Sequence, residues 1–131
     1  MYIYIIEDDH WYSKVIEHYL SLNPDYRVKT FDTGKKILNE LKNKPDVICM
    51  DYTLPDIKGD KLLIEIKKRC PETPVIVISG QEEISIAVNL LKLGAHDYLV
   101  KNEYTKEILW KSIHNINQTK KLKDEIIDLK G

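Results

Sequence analysis

Four stretches of this sequence end an apolar run in a residue that can do chemistry. Tyr2 to Ile6 stops at Glu7-Asp8-Asp9, Val47 to Met50 at Asp51, Val75 to Ile78 at Ser79-Gly80, and Tyr98-Leu99-Val100 at Lys101. Carboxylates, a hydroxyl and an ammonium on separate runs can act together only if the runs lie side by side and point the same way. Asp51 is the candidate reactive group, because it closes a run entered through Pro45-Asp46 and left through Thr53-Leu54-Pro55. Each residue also has a plainer role. An Asp after a strand often caps the next loop, and Ser-Gly is an ordinary turn pair. Tyr98 is a favoured strand aromatic, and a lysine at a strand end is usually a solvated charge. The joint placement at four run ends, rather than any one residue, carries the functional reading.

The elements between these ends decide whether they meet. Trp11, Val15, Ile16, Tyr19 and Leu20 recur at helical spacing, so the spacing predicts a first helix over 10–22, stopped by Asn23-Pro24-Asp25. Tyr26, Val28 and Thr30 alternate with charged residues as in an outer, half-exposed strand. A second helix is predicted over 35–43, with Ile37, Leu38 and Leu41 on one face. Gly59-Asp60 opens a third helix with Leu62, Leu63 and Ile66 inward, ending at Cys70-Pro71. The β-branched run 75–78 is a strand buried on both faces. A fourth helix over 82–93 turns Ile86, Ala87, Leu90 and Leu91 inward and stops at Gly94. Thr105 is the expected cap of a fifth helix whose stripe is Ile108, Leu109, Ile113 and Ile116.

Five β-then-α units in strict alternation select an α/β, doubly wound, five-stranded parallel sheet, flavodoxin-like in the order 2-1-3-4-5, with five helices of which the last is extended. In that order the switch point falls between strands one and three, whose ends carry Glu7, Asp8 and Asp51.

Composition narrows the classes. The 131 residues, 43% hydrophobic and 31% charged, suit one domain, expected over 1–118 with an extension of the last helix over 119–131. Twenty basic and twenty-one acidic residues leave a formal charge of −1, which offers no general pull toward nucleic acid or anionic membrane. The apolar run at Tyr2 to Ile6 is too short for a signal peptide or membrane span, so a cytoplasmic protein is expected. Cys49 and Cys70 lack zinc or redox spacing and read as buried thiols, and the four histidines are scattered.

Three carboxylates in one crevice repel one another, and a hard divalent cation bound by oxygens, Mg²⁺ above all, relieves that repulsion. Such an ion completes its shell with a phosphate oxygen, so the expected ligand is a phosphoryl group. Ser79 supplies a hydrogen-bond donor for it and Lys101 a fixed countercharge, and a nucleophilic Asp51 makes an aspartyl phosphate.

With these residues in place, the chain resembles the receiver domain of two-component response regulators from Tyr2 to about Gln118. The resemblance rests on Glu7-Asp8 after the first strand, Asp51 followed by Leu54-Pro55 and Gly59, Ser79-Gly80 after the fourth strand, and Tyr98 three residues before Lys101. It implies that Asp51 accepts its phosphoryl group from a histidine kinase or phosphotransfer protein. It also implies that Asp8, Asp51 and the Thr53 backbone carbonyl hold Mg²⁺, with Glu7 acting through the ion's water shell. Ser79 and Tyr98 would form the switch, hydroxyl toward the phosphoryl group and ring turning inward. By the same resemblance the domain is an acceptor without classical substrate turnover, does not itself bind nucleic acid or membrane, and works in transcription regulation. One position departs from the family: Asn102 stands after the lysine where a proline with a cis bond is usual, so a trans bond is expected. Two readings compete. A haloacid-dehalogenase-like phosphatase would want a second Asp where Thr53 stands, and a receiver-like interaction module would take no phosphate.

The tail keeps helical spacing. Ile108, Ser112, Asn115, Thr119, Leu122, Ile126 and Leu129 fall on alternating four and three steps, so one seam turns from polar to apolar as it leaves the domain. It reads either as a solvated, frayed helix end or as a signalling helix that carries dimer geometry to an ATPase or DNA-binding output domain.

Overall fold

The computed structural model describes residues 1–130. Strands β1 (Tyr2–Ile6), β2 (Arg27–Phe31), β3 (Val47–Asp51), β4 (Val75–Ser79) and β5 (Asp97–Val100) form one parallel sheet in the order β2-β1-β3-β4-β5. Helices α1 (His10–Leu20), α2 (Gly34–Leu38), α3 (Gly59–Arg69), α4 (Ile84–Lys92) and α5 (Thr105–Lys130) alternate with them. This is the expected flavodoxin-like architecture. The central strands read as unbroken apolar runs because both faces are covered. Leu62, Leu63 and Ile66 of α3 and Leu90 of α4 pack on one face, whereas Ile16 and Leu20 of α1 and Leu109 and Ile113 of α5 pack on the other.

Strand register brings the chemical ends to one edge. Ile6 lies opposite Met50, Asp51 opposite Ile78, and Ser79 opposite Val100. One further step sets Glu7 level with Asp51, and Lys101 just past Ser79. The two-residue period then sorts them by face. Ile5, Cys49 and Leu99 face α1 and α5, so Glu7, Asp51 and Lys101, each two residues on, fall to that side. Val77 faces α3 and α4, and Ser79 and Tyr98 follow it.

Several boundaries differ from the spacing-based expectation. The predicted second helix breaks in two: α2 ends at Leu38 and a single 3₁₀ turn covers Leu41–Asn43. The Tyr4 hydroxyl donates to the Glu40 carbonyl at 2.8 Å, and Lys44 takes a left-handed φ of 53° before Pro45, so the helix cannot run on. The first helix stops at Leu20 because Leu22 and Asn23 N–H groups bond three residues back, tightening the turn ahead of Pro24. The fourth helix opens at Ile84, two residues late, and its Leu91, expected inward, is exposed. Ile108 is exposed as well, since the buried stripe of α5 runs through Leu109 and Ile113, about 100° away around the helix. Cys49 is buried as expected, but Cys70 is only half-buried, its thiol toward the Leu41 carbonyl at 3.9 Å.

Thr105 does not cap α5. Its hydroxyl accepts the Asn102 N–H at 2.7 Å and lies 2.9 Å from the Val100 carbonyl, to which it donates, while the Asn102 side-chain oxygen accepts the Tyr104 N–H at 2.8 Å. A proline at position 102 would lack the N–H that Thr105 binds. The Lys101–Asn102 bond is trans, as expected.

The last helix is one continuous element of 26 residues. Trp110 meets Tyr19 and Tyr26 at ring distances of 5.5 and 5.8 Å, fixing α5 against α1 and the approach to β2. Lys120 pairs with Asp46, whose other oxygen accepts the Tyr2 N–H at 2.7 Å. Beyond that clasp Leu122, Ile126 and Leu129 are exposed.

Candidate functional site

The acidic turn after β1 divides its labour. Asp9 accepts the Tyr12 N–H at 3.1 Å and so caps α1, leaving Glu7 and Asp8 for the crevice. One oxygen from each of Glu7, Asp8 and Asp51 lies within 4.8 Å of the others. Glu7 and Asp51 are buried and Asp8 is exposed, so the cluster opens to water on one side. Thr53 donates its N–H to Asp51 at 3.2 Å, which folds the loop after β3 back over the carboxylate.

Lys101 reaches into this cluster from the end of β5. Its ammonium lies 2.6 Å from Glu7 Oε1 and 3.6 Å from Asp51 Oδ2. Burial alone would lower its hold on the proton, but the hydrogen bond to Glu7 and the charges of Asp51 and Glu7 outweigh that and raise it, so the side chain stays cationic. Burial, and then its hydrogen bond with Asp51, pushes Glu7 up from 4.5 to about 7, with Lys101 pulling the other way. The direct partner of Glu7 in this structure is the lysine. Hard carboxylate oxygens at this separation suit a small divalent cation.

Ser79 and Tyr98 occupy the other side of the same edge. Ser79 is fully buried and its hydroxyl oxygen accepts the Gln81 N–H at 3.0 Å. The Tyr98 hydroxyl donates to the Gln81 carbonyl at 2.6 Å. Both side chains are therefore held by the backbone of Gln81, a residue that no side-chain pattern in the sequence marks. Tyr12 is a second such residue: its ring centroid lies 4.6 Å from the Lys101 ammonium.

A family profile described as the response regulator receiver domain matches residues 3–113. The chain belongs to that family. The receiver resembles the amino-acid sequence of a protein-glutamate methylesterase/protein-glutamine glutaminase from Pseudomonas fluorescens, at 31% identity over 89% of this chain and 34% of that protein. It also matches the DNA-binding transcriptional regulator NtrC of Klebsiella pneumoniae, at 35% identity over 75% of this chain and 21% of that protein. Among solved structures, the signal receiver domain of a LuxO repressor protein from Vibrio parahaemolyticus superposes with a TM-score of 0.86 at 27% identity, covering 95% of each chain. NtrX from Brucella abortus superposes at 0.83 with 29% identity, covering 98% of this receiver and 30% of that chain. The chain thus spans about a third or less of these longer relatives. Receivers are the signalling modules of two-component systems, and some of the relatives here are transcriptional regulators. No helix among the described residues is long and apolar enough to cross a membrane.

The Glu7 proton makes a measurable demand on stability. The folded receiver holds it more tightly than the unfolded chain does, so the contribution of Glu7 is greatest below about pH 4.5 and declines as pH rises through about 7. Glu7→Gln should remove that decline, leaving the variant more stable than the wild type by about 1–2 kcal/mol at pH 8 and little different at pH 5, as urea melts at the two pH values would show.

Proposed function

We propose that the receiver accepts a phosphoryl group on Asp51 from a histidine kinase or phosphotransfer protein and passes the signal on through the extended α5. The observation that carries this reading is the Lys101 ammonium set between the Glu7 and Asp51 carboxylates at the carboxyl edge of the sheet. The carboxylate oxygens of Glu7, Asp8 and Asp51 lie close enough together to share one divalent cation, and Asp8 leaves a solvent-facing side for an incoming group. Asp8, Asp51 and the Thr53 carbonyl would hold Mg²⁺, with Glu7 near its water shell. When bound, the ion would neutralise the carboxylates and help hold an incoming phosphoryl group against Asp51.

The chain's own residues then do the rest. An Asp51 oxygen attacks phosphorus as the P–N bond to the donor histidine breaks, giving a mixed anhydride on the aspartate, and the proton stays with the departing imidazole. Lys101 shifts its hydrogen bond from Glu7 to a phosphoryl oxygen, a charge-assisted contact favoured by the added negative charge. Ser79 leaves the Gln81 N–H to donate to a second phosphoryl oxygen. Tyr98, whose hydroxyl donates to the Gln81 carbonyl, can then turn its ring toward the space Ser79 leaves.

The reading is tested with acetyl phosphate and Mg²⁺, followed by intact mass. The wild type should gain one phosphoryl group, Asp51→Asn none, and Lys101→Ala should label about 10- to 100-fold more slowly. A wild type that takes no label would favour an interaction module that has lost the chemistry, and label on Asp51→Asn at the wild-type level would remove Asp51 as acceptor.

The tail is read as the link to an output segment. The match to NtrX extends over nearly the whole of this chain, tail included, within a much longer protein. Exposed Leu122, Ile126 and Leu129 recur at four and three steps on a helix that leaves the domain, the pattern of a seam that a second copy covers. Sedimentation with beryllofluoride and Mg²⁺ should show self-association that a chain ending at Gln118 lacks, whereas strictly monomeric behaviour of both would contradict a dimerising role.

A further inference from the structure

An ammonium has three N–H groups to place, and the carboxylates take two directions around Lys101: Glu7 at 2.6 Å and, more loosely, Asp51 at 3.6 Å. The Tyr12 ring also meets it, its centroid 4.6 Å from Nζ, within the range at which a cation is drawn to an aromatic face. Tyr12 is well placed to hold that position, because its own N–H is fixed by the Asp9 cap at 3.1 Å and it stands in the first turns of α1. Its hydroxyl is buried and makes no well-formed hydrogen bond, with the Thr105 side chain beside it. Burial also raises this hydroxyl above its ordinary value, and the ring meets the ammonium as a neutral phenol.

The loop that carries Lys101 is held by hydrogen bonds of Asn102 and Thr105, which fix its backbone but not the reach of a four-carbon side chain. Two carboxyl neighbours compete for that side chain, and the nearer one is Glu7 rather than Asp51. A ring face against the ammonium limits where else that side chain can swing. From these contacts we infer that Tyr12 is a positioning residue, its ring face steering the Lys101 ammonium from Glu7 to the phosphoryl group on Asp51. The inference rests on the phosphoacceptor reading and adds to it the residue that aims the lysine.

Beryllofluoride, bound with saturating Mg²⁺, stands in for the phosphoryl group and measures the lysine's contribution without turnover. The experiment compares Mg²⁺ affinity alone with beryllofluoride affinity in the wild type, Tyr12→Phe, Tyr12→Leu, Lys101→Ala and the Tyr12→Leu/Lys101→Ala pair. Tyr12→Phe should bind beryllofluoride as the wild type does, and Tyr12→Leu about tenfold more weakly with Mg²⁺ affinity within about twofold of the wild type. In the Lys101→Ala background Tyr12→Leu should have no further effect, since the ring then has no cation to steer. Equal weakening by Phe and Leu, parallel loss of Mg²⁺ and beryllofluoride binding in the Leu variant, or an undiminished Leu effect without the lysine would each overturn the steering role. A wild type that fails to bind beryllofluoride would overturn the phosphoacceptor reading and this inference with it, whereas normal binding by the wild type and by Tyr12→Leu alike would overturn the inference alone.

Discussion

Much of this receiver is arranged around one imbalance of charge: two buried carboxylates, Glu7 and Asp51, share the single ammonium of Lys101 at the edge of the sheet. Burial, and then the Asp51 carboxyl beside it, pushes Glu7 up to about 7, against the pull of Lys101. With Asp8 beside them, these carboxylates form an oxygen cluster of the kind whose mutual repulsion a divalent cation relieves. In the proposed reaction the same ammonium would change partners as Asp51 becomes more negative, and its resting partner is Glu7.

The sheet exists, in this sense, to deliver four side chains to one edge with the right faces. Parallel register places Glu7 level with Asp51, and the two-residue period sends the charged trio toward α1 and Ser79 with Tyr98 toward α4. A slip of one residue in β3 would turn Asp51 away from Glu7 and Met50 out of its core. The site is therefore held by the same burial that holds the fold, and the two cannot be altered separately at these positions. The Gln81 backbone ties Ser79 and Tyr98 together, since it binds both members of the hydroxyl pair.

The strands and the convergence of their ends were legible in the sequence because each strand is an apolar run stopped by a chemically distinct residue, and alternation with helices dictates a parallel sheet. What escaped was set by tertiary contacts. The break after α2 depends on a hydroxyl from β1, Tyr4, reaching the Glu40 carbonyl. The outward turn of Leu91 and Ile108 depends on which of several apolar residues on a helix meets the sheet, and spacing alone admits either face. Thr105 looked like a cap because its residue type is common there, yet its hydroxyl is drawn back to Asn102, whose N–H has no strand partner. Gln81 acts through its backbone and Tyr12 through its ring face, and neither role has a signature in residue type or spacing.

The central claim is that the convergence of Glu7, Asp8 and Asp51 makes one divalent-cation site at the carboxyl edge of β1 and β3. Titration of the isotope-labelled receiver with Mn²⁺, watching paramagnetic broadening of backbone amide signals, tests it most directly. At substoichiometric ion the amides of Glu7, Asp8, Asp51 and Thr53 should broaden first and together, and added Mg²⁺ should restore them. Broadening that begins elsewhere, for example around Asp124 and Asp128 on the exposed end of α5, or that spreads evenly over the acidic surface, would contradict it.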